Sequence, residues 1–290
     1  MRKAMVRSVR GEWYLLIATL FAAVGWVASK YVLQEMASSA FIGGRFLIAS
    51  GLLLPFCWKE LRHLSMTLTL KLSAIGILLA LSIHVWVYAV SITKSLSEGA
   101  FIMSLAMIIA PLTRWVLFRQ RPNRAFWLSL PIAIVGMVFL TLTNGWKIDI
   151  SQGYFLLSSC LLSVHFVLNK RASSAASPLS SICLQMWVVG MSGLLLYLIH
   201  GAPSLLYSGN TWVWFAIATF VATALRYLTQ TVGQHSANIE VAALIMILEP
   251  IWTLIMSVTL LGESLSGYKS LGSGLVVLSL YLYIRLSRRR

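Results

Sequence analysis

Apolar runs of about twenty residues, each closed by a short polar gap, follow one another along the whole chain. A hydrocarbon core about 30 Å thick needs about 20 residues of α-helix to cross it. Ten segments meet that length, near 12–33, 38–58, 70–91, 96–118, 125–143, 152–170, 179–200, 210–231, 237–261 and 267–286. The longest gap holds Lys59, Glu60, Arg62 and His63. No gap is long enough for an extramembrane domain, so any function must reside in the bundle. The pattern predicts an all-α integral membrane protein with ten transmembrane helices.

Composition sharpens that picture. Hydrophobic residues make up 59% of the chain and charged residues 11%, with a mean hydropathy of +0.83. Soluble domains carry about 25% charged residues. A soluble core could not bury this much apolar surface, so the excess faces lipid. The 11 Trp suit membrane interfaces. The net charge of +15 would suggest nucleic acid in a soluble protein, but here the basic residues sit in the gaps between apolar runs, which excludes that reading.

With a cytoplasmic N-terminus, Arg2, Lys3, Arg7, Arg10, Lys59, Arg62, Lys71, Arg114, Arg119, Arg121, Arg124, Lys170, Arg171, Arg285 and Arg288 to Arg290 share one side. The other side keeps Lys30, Lys94, Lys147 and Lys269. That asymmetry places both termini in the cytoplasm and requires an even number of spans. The basic N-terminus leads into a retained first helix with no cleavage site. Short loops and the lack of a transit peptide point to a bacterial inner membrane. Cys57, Cys160 and Cys183 fit neither a disulfide framework nor a zinc site.

A repeat runs at an offset of about 140 residues. Pro111 matches Pro250, Ser29-Lys30 matches Asn169-Lys170, and Arg45 matches Gln185. The division falls at residues 1–145 and 146–290, five spans each. An odd number of spans inserts the second half upside down, an arrangement that supports alternating access in transporters.

Polar groups inside spans cost roughly 2.5–3.5 kcal/mol for a central charge and usually face the bundle interior. The outer half holds Trp26, Ser29, Arg45, His84, Trp86 and Tyr88, with Glu98 at the outer end of span four. They suit a cationic, aromatic cavity gripping a carboxylate, Arg offering paired N–H donors. The structural alternative is an Arg45–Glu98 ion pair, or an Arg45 hydrogen-bonded to helix carbonyls. Trp86 and Tyr88, two apart on a helix, point to different faces, so one of them lines the cavity. The inner half holds His165, Asn169, Gln185, Arg226, Tyr227, Gln230 and Glu240, and an Arg226–Glu240 ion pair would form an inner gate. Glu249, the deepest acid, precedes the helix-loosening Pro250, and is the candidate proton carrier or cation site. His84 and His165 could also titrate but lie in opposite halves, so no shared metal site is indicated. Gly43-Gly44, Gly272 and Gly274 permit close helix approach. The Ser-rich stretch Ser173–Ser181 reads as a loop. No catalytic or nucleotide-binding motif is present, so neither an enzyme nor ATP-driven transport is expected, and no cofactor is implied.

The stretch Leu248-Glu249-Pro250-Ile251, the turn Leu260-Leu261-Gly262-Glu263-Ser264-Leu265-Ser266 and Leu271-Gly272 resemble the closing part of the repeat of EamA-type members of the drug/metabolite transporter superfamily. The first half repeats the layout with Ala110-Pro111-Leu112, Phe118-Arg119-Gln120-Arg121-Pro122 and Gly136. It departs at the turn, where Gln120 stands for the usual Glu and Arg119 for the usual Gly. The resemblance implies two inverted five-helix repeats around a central cavity. It implies a secondary transporter driven by a gradient, with export of amino acids or similar small metabolites by alternating access as the leading reading. Import or exchange of another solute, or an integral-membrane lipid-modifying enzyme, are the alternatives. The partners expected are a small-molecule substrate and the lipid bilayer.

Overall fold

The computed structural model describes residues 2–142, 149–172, 176–200, 206–236 and 245–287. Among them every regular element is helical: α1 (Arg2–Val32), α2 (Ser38–Leu61), α3 (Met66–Ile92), α4 (Leu96–Ser104), α5 (Ala106–Phe118), α6 (Arg124–Leu142), α7 (Ile150–Ala172), α8 (Pro178–Ile199), α9 (Gly209–Ala216), a π-helical segment (Ile217–Leu225), α10 (Arg226–Ser236), α11 (Leu248–Leu261) and α12 (Gly267–Ser287). Among the described residues, seven stretches are long and apolar enough to cross a membrane: Gly11–Val32, Ser38–Leu61, Met66–Ile92, Leu96–Phe118, Ile150–Arg171, Pro178–Ile199 and Gly209–Gly233. Arg124–Leu140 and Leu248–Leu261 are shorter apolar helices. The start of the expected ninth span, 237–244, lies outside the described residues.

Serine starts many of these helices. Ser65, Ser95, Ser177 and Ser208 each accept from a backbone N–H three residues on, at Leu68, Glu98, Ser180 and Thr211. Pro178 begins α8, where its missing N–H costs nothing, so the end of the expected loop is already helix. Two helices end on left-handed residues, α11 at Gly262 (φ 67°) and α5 at Arg119 (φ 54°). Glycine adopts that conformation freely and arginine does not, so the first half keeps the turn at a cost of about 1–2 kcal/mol.

Two expected spans are interrupted. The fourth breaks at Leu105, between α4 and α5, where the N–H of Ile108 bonds the Leu105 carbonyl three residues back at 2.8 Å. Pro111 supplies no N–H for the carbonyl four residues earlier, which weakens the helix downstream of the break. The ninth turns at Ile247, and Pro250 sits in the first turn of α11.

The packing follows the repeat. α2 lies along α8 and α6 along α12; α3 lies against α7 as α1 lies against the π segment and α10; α4 meets α11. Each pairing has its counterpart one repeat away. The first two are antiparallel: Gly43 meets Gly193 while Leu47 meets Gly190, and Gly136 and Leu140 meet Gly272. A β-carbon on Gly193 would lie 2.5 Å from the Gly43 nitrogen, and one on Gly272 2.8 Å from the Gly136 oxygen. Glycine is what lets these backbones touch. The outer surface is apolar, with Phe56, Met66, Val116, Leu128 and Leu195 all more than half exposed. Lipid is the solvent that suits it. This is a multi-pass membrane protein of two repeated halves.

Candidate functional site

The halves enclose a cavity of about 430 Å³. Its wall takes Trp26 from α1, Arg45 from α2, Trp86 from α3, His165 from α7, Arg226 and Tyr227 from α10 and Glu249 from α11. The breaks at Leu105 and Ile247 fall beside it, since Ser104, Ala106 and Met246 also line it. Irregular backbone is tolerated at membrane depth where it borders such a cavity.

One ion pair stands in the wall. Arg226 Nη2 donates to Glu249 Oε2 at 3.2 Å, and Trp26 Nε1 donates to Glu249 Oε1 at 3.3 Å. The Arg226 guanidinium also lies over the Tyr227 ring, 5.3 Å from its centre. Arg45 has no carboxylate partner among the described residues. Its Nε donates to Thr223 Oγ1 at 2.6 Å and its Nη1 to Ser29 Oγ at 3.0 Å. Its cationic carbon lies 5.9 Å from the centre of the Trp86 ring.

The repeat extends to single hydrogen bonds. Arg45 bonds Ser29, and their counterparts Gln185 and Asn169 bond each other, Gln185 Nε2 donating to Asn169 Oδ1 at 2.8 Å. Gln185 is fully buried, is absent from the cavity wall, and accepts from His165 Nε2 at 2.7 Å.

Several expectations need correction. Arg45 and Glu98 do not pair: Glu98 Oε2 accepts from Gln152 Nε2 at 2.9 Å, because the first turn of α4 faces α7 and not α2. Arg226 pairs with Glu249; Glu240, the partner expected for it, lies outside the described residues. Arg226 directly follows the π segment, at the start of α10. His84 is absent from the cavity wall and bonds Ser192 Oγ on α8 at 3.0 Å, because α3 packs that face against α8. Tyr88 is 46% exposed and packs edge-on against Tyr154, with ring centres 4.8 Å apart. Of the Trp86–Tyr88 pair, Trp86 lines the cavity.

The bundle ends differ. At the end carrying Lys30, Lys30 Nζ donates to the carbonyls of Val90, Ser91 and Thr93, a cation on the negative end of α3. Beside it, Glu263 accepts from the Leu96 N–H (2.6 Å), the Ser97 hydroxyl (2.7 Å), the Ser95 hydroxyl (3.0 Å) and Lys269 Nζ (2.8 Å). Burial pushes the Glu263 carboxyl up, but the bond and charge of Lys269 and the bonds from Ser97 and Leu96 outweigh it and hold it below its ordinary range. Glu35 accepts from the Ser208 N–H and hydroxyl, and those bonds with one from Thr211 hold it low as well. At the opposite end, Glu60 accepts from the Ser177 N–H at 2.6 Å. None of the Lys30-end ties lines the cavity, whereas Pro178, Asn169 and Thr231 extend it toward the Glu60 end. No trio of His, Cys, Asp or Glu arranged for a metal occurs among the described residues.

Residue reading missed Thr223, Ser181 and the carboxylates Glu35, Glu60 and Glu263 that cap helices of other spans. A serine-led helix start is visible in sequence, but the distant carboxylate that binds it is not.

The EamA-like transporter family matches residues 9–142 and again residues 150–285. The chain belongs to the EamA-like transporter family. It is thereby a member of the drug/metabolite transporter superfamily. This EamA-like chain is 20% identical over 224 residues to an uncharacterized transporter of Archaeoglobus fulgidus, covering 77% of this chain and 78% of that protein. One solved crystal structure superposes with a TM-score of 0.67 at 13% identity, over 97% of this chain and 99% of the other. At that identity the likeness shows the fold alone. In an EamA-like chain, both matches fall on the two halves that the antiparallel pairings α2–α8 and α6–α12 relate.

Proposed function

We propose that this protein is a secondary transporter that exports small organic metabolites, amino acids above all, by alternating access. The observation that carries the reading is the Arg226–Glu249 pair inside an aromatic cavity that also holds Arg45. Two guanidiniums face one carboxylate, so the wall carries an excess positive charge suited to a substrate carboxylate. Glu249 suits an ammonium group, and Trp26, Trp86 and Tyr227 offer faces to an apolar side chain. A zwitterion can replace the Arg226–Glu249 contact with two of its own, which would open the pair as the substrate binds.

The ten spans of the hydropathy pattern, in halves 1–145 and 146–290, give the architecture this cycle needs. With the basic-rich loops in the cytoplasm, the Lys30 end is external and closed, and the cavity faces inward. That state loads a substrate for export across a bacterial inner membrane with both termini cytoplasmic. Glu249, released from Arg226, is the group to carry a proton.

The test is counterflow and uptake of a labelled amino-acid mixture in proteoliposomes, with and without an imposed pH gradient. Accumulation above protein-free liposomes, responsive to the gradient, is the expected result. Folded protein that moves none of the mixture would refute the substrate class.

A further inference from the structure

The cavity wall contains an acceptor that the protein leaves unused. His165, 3% exposed, has no hydrogen-bond partner at Nδ1 among the described residues. Its other nitrogen, Nε2, lies 2.7 Å from Gln185 Oε1. Gln185 presents its Oε1 to His165 and donates from Nε2 to Asn169 Oδ1 at 2.8 Å. An oxygen there accepts, so the neutral imidazole carries its proton on Nε2. Nδ1 is left with a lone pair and no donor. Ser181, from α8, lines the same wall with its hydroxyl equally unpartnered and 2% exposed.

Leaving such atoms unpaired away from water is costly, and both of these belong to residues of the cavity wall, where a group arriving from outside would satisfy them. The other half shows that the arrangement is not a packing necessity. The counterpart of His165 one repeat earlier is Gly25, where an added β-carbon would lie 2.8 Å from Ala222 Cβ and 3.6 Å from Arg45 Nη2. That half closes the position and offers a guanidinium, a pure donor. The second half opens it and offers an acceptor. The cavity is therefore chemically lopsided although its scaffold is two-fold.

We infer that His165, backed by the Gln185–Asn169 relay and joined by Ser181, is a specificity subsite for a hydrogen-bond donor on the substrate's side chain, a hydroxyl or an N–H. This rests on the transporter reading above. It adds that substrates bearing such a donor are selected over isosteres lacking it.

The experiment compares matched pairs in proteoliposomes, L-threonine against L-valine and L-tyrosine against L-phenylalanine. The wild type should favour the donor-bearing member of at least one pair by roughly 10-fold, the worth of one buried hydrogen bond. His165→Leu should bring that ratio to about one. His165→Asn, whose Oδ1 can replace Nδ1 as acceptor, should retain a preference, and Ser181→Ala should lower the ratio, so the idea stays testable if the Leu variant fails to fold. A purely structural His165 would change both members of a pair alike and leave the ratio intact; that result overturns the inference. So does a wild type that transports both members equally. A folded wild type that moves none of the four overturns the amino-acid substrate reading, and this inference with it.

Discussion

Arg45 Nε donates to Thr223 Oγ1 at 2.6 Å, which joins the first half of the chain to the π-helical segment of the second. The Thr223 hydroxyl spends its own proton on the Ala218 carbonyl five residues back, at 2.8 Å, so its lone pairs turn toward Arg45. The widened turn and the buried guanidinium are one arrangement. Thr223→Val keeps the shape and removes the acceptor. A hydrogen bond to a charged group contributes about 1.5–3 kcal/mol, so this variant should unfold several degrees earlier in detergent. An unchanged melting curve would show that Arg45 is held by Ser29 and its aromatic neighbours alone.

The Arg226–Glu249 pair is open to a double-mutant cycle. Both side chains are 22% exposed, at the cavity wall. Arg226→Gln and Glu249→Gln should each destabilise the protein, and the double variant should lose less than the sum. A coupling of roughly 0.5–3 kcal/mol is the expected range for contacting charges. Additive losses would mean that the 3.2 Å contact does not contribute. Glu249→Gln should also abolish the response of transport to a pH gradient; persistence of that response removes Glu249 from proton coupling.

Acid should loosen the Lys30 end. The Glu263 carboxyl is held below its ordinary 4.5 by Lys269, Ser97 and Leu96 against the effect of burial, so its ionised form is favoured in the fold. A depressed carboxyl contributes stability that is complete above its unfolded value and fades as pH falls through its folded one. Melting temperature should therefore be flat near neutrality and decline below about pH 4.5. Glu263→Gln should lower the neutral plateau and flatten part of that decline. Glu35, also held low, leaves a residual slope.

Two glycines predict opposite results. Gly193→Ala places a methyl 2.5 Å from the Gly43 nitrogen, against backbone that cannot move aside. Overpacking of that kind costs roughly 1–3 kcal/mol. Gly51→Ala in α2 meets nothing within 4 Å and should be neutral or slightly stabilising. Equal melting temperatures for the two variants would contradict the close approach of α2 and α8.

Much of the fold is legible in one dimension. Apolar run length, the Pro111/Pro250 match and the Arg45/Gln185 match announce a membrane protein in two halves, and the family match has the same two parts. The site is legible only in part. Arg45, Trp26 and Glu249 are conspicuous because polar or bulky groups in an apolar run stand out. Their partners are not: Thr223 looks like any small residue of a span, and Ser181 like any serine of a helix start. The Arg226–Glu249 contact is not legible on the same ground. Nearness in sequence favoured Glu240, whereas Glu249 lies 23 residues from Arg226 along the chain.

Lipid exposure is a property of each segment by itself, because transfer from water to hydrocarbon depends on the residues transferred. Sequence alone therefore determined that the chain crosses a membrane many times and that its halves repeat. Rotation of each helix about its axis is a collective property, decided by how every neighbour packs. Only the tertiary structure decided that Trp26 meets Glu249 across 223 residues of chain, that His84 and Tyr88 face away from the cavity, and that Glu263 closes on the start of α4.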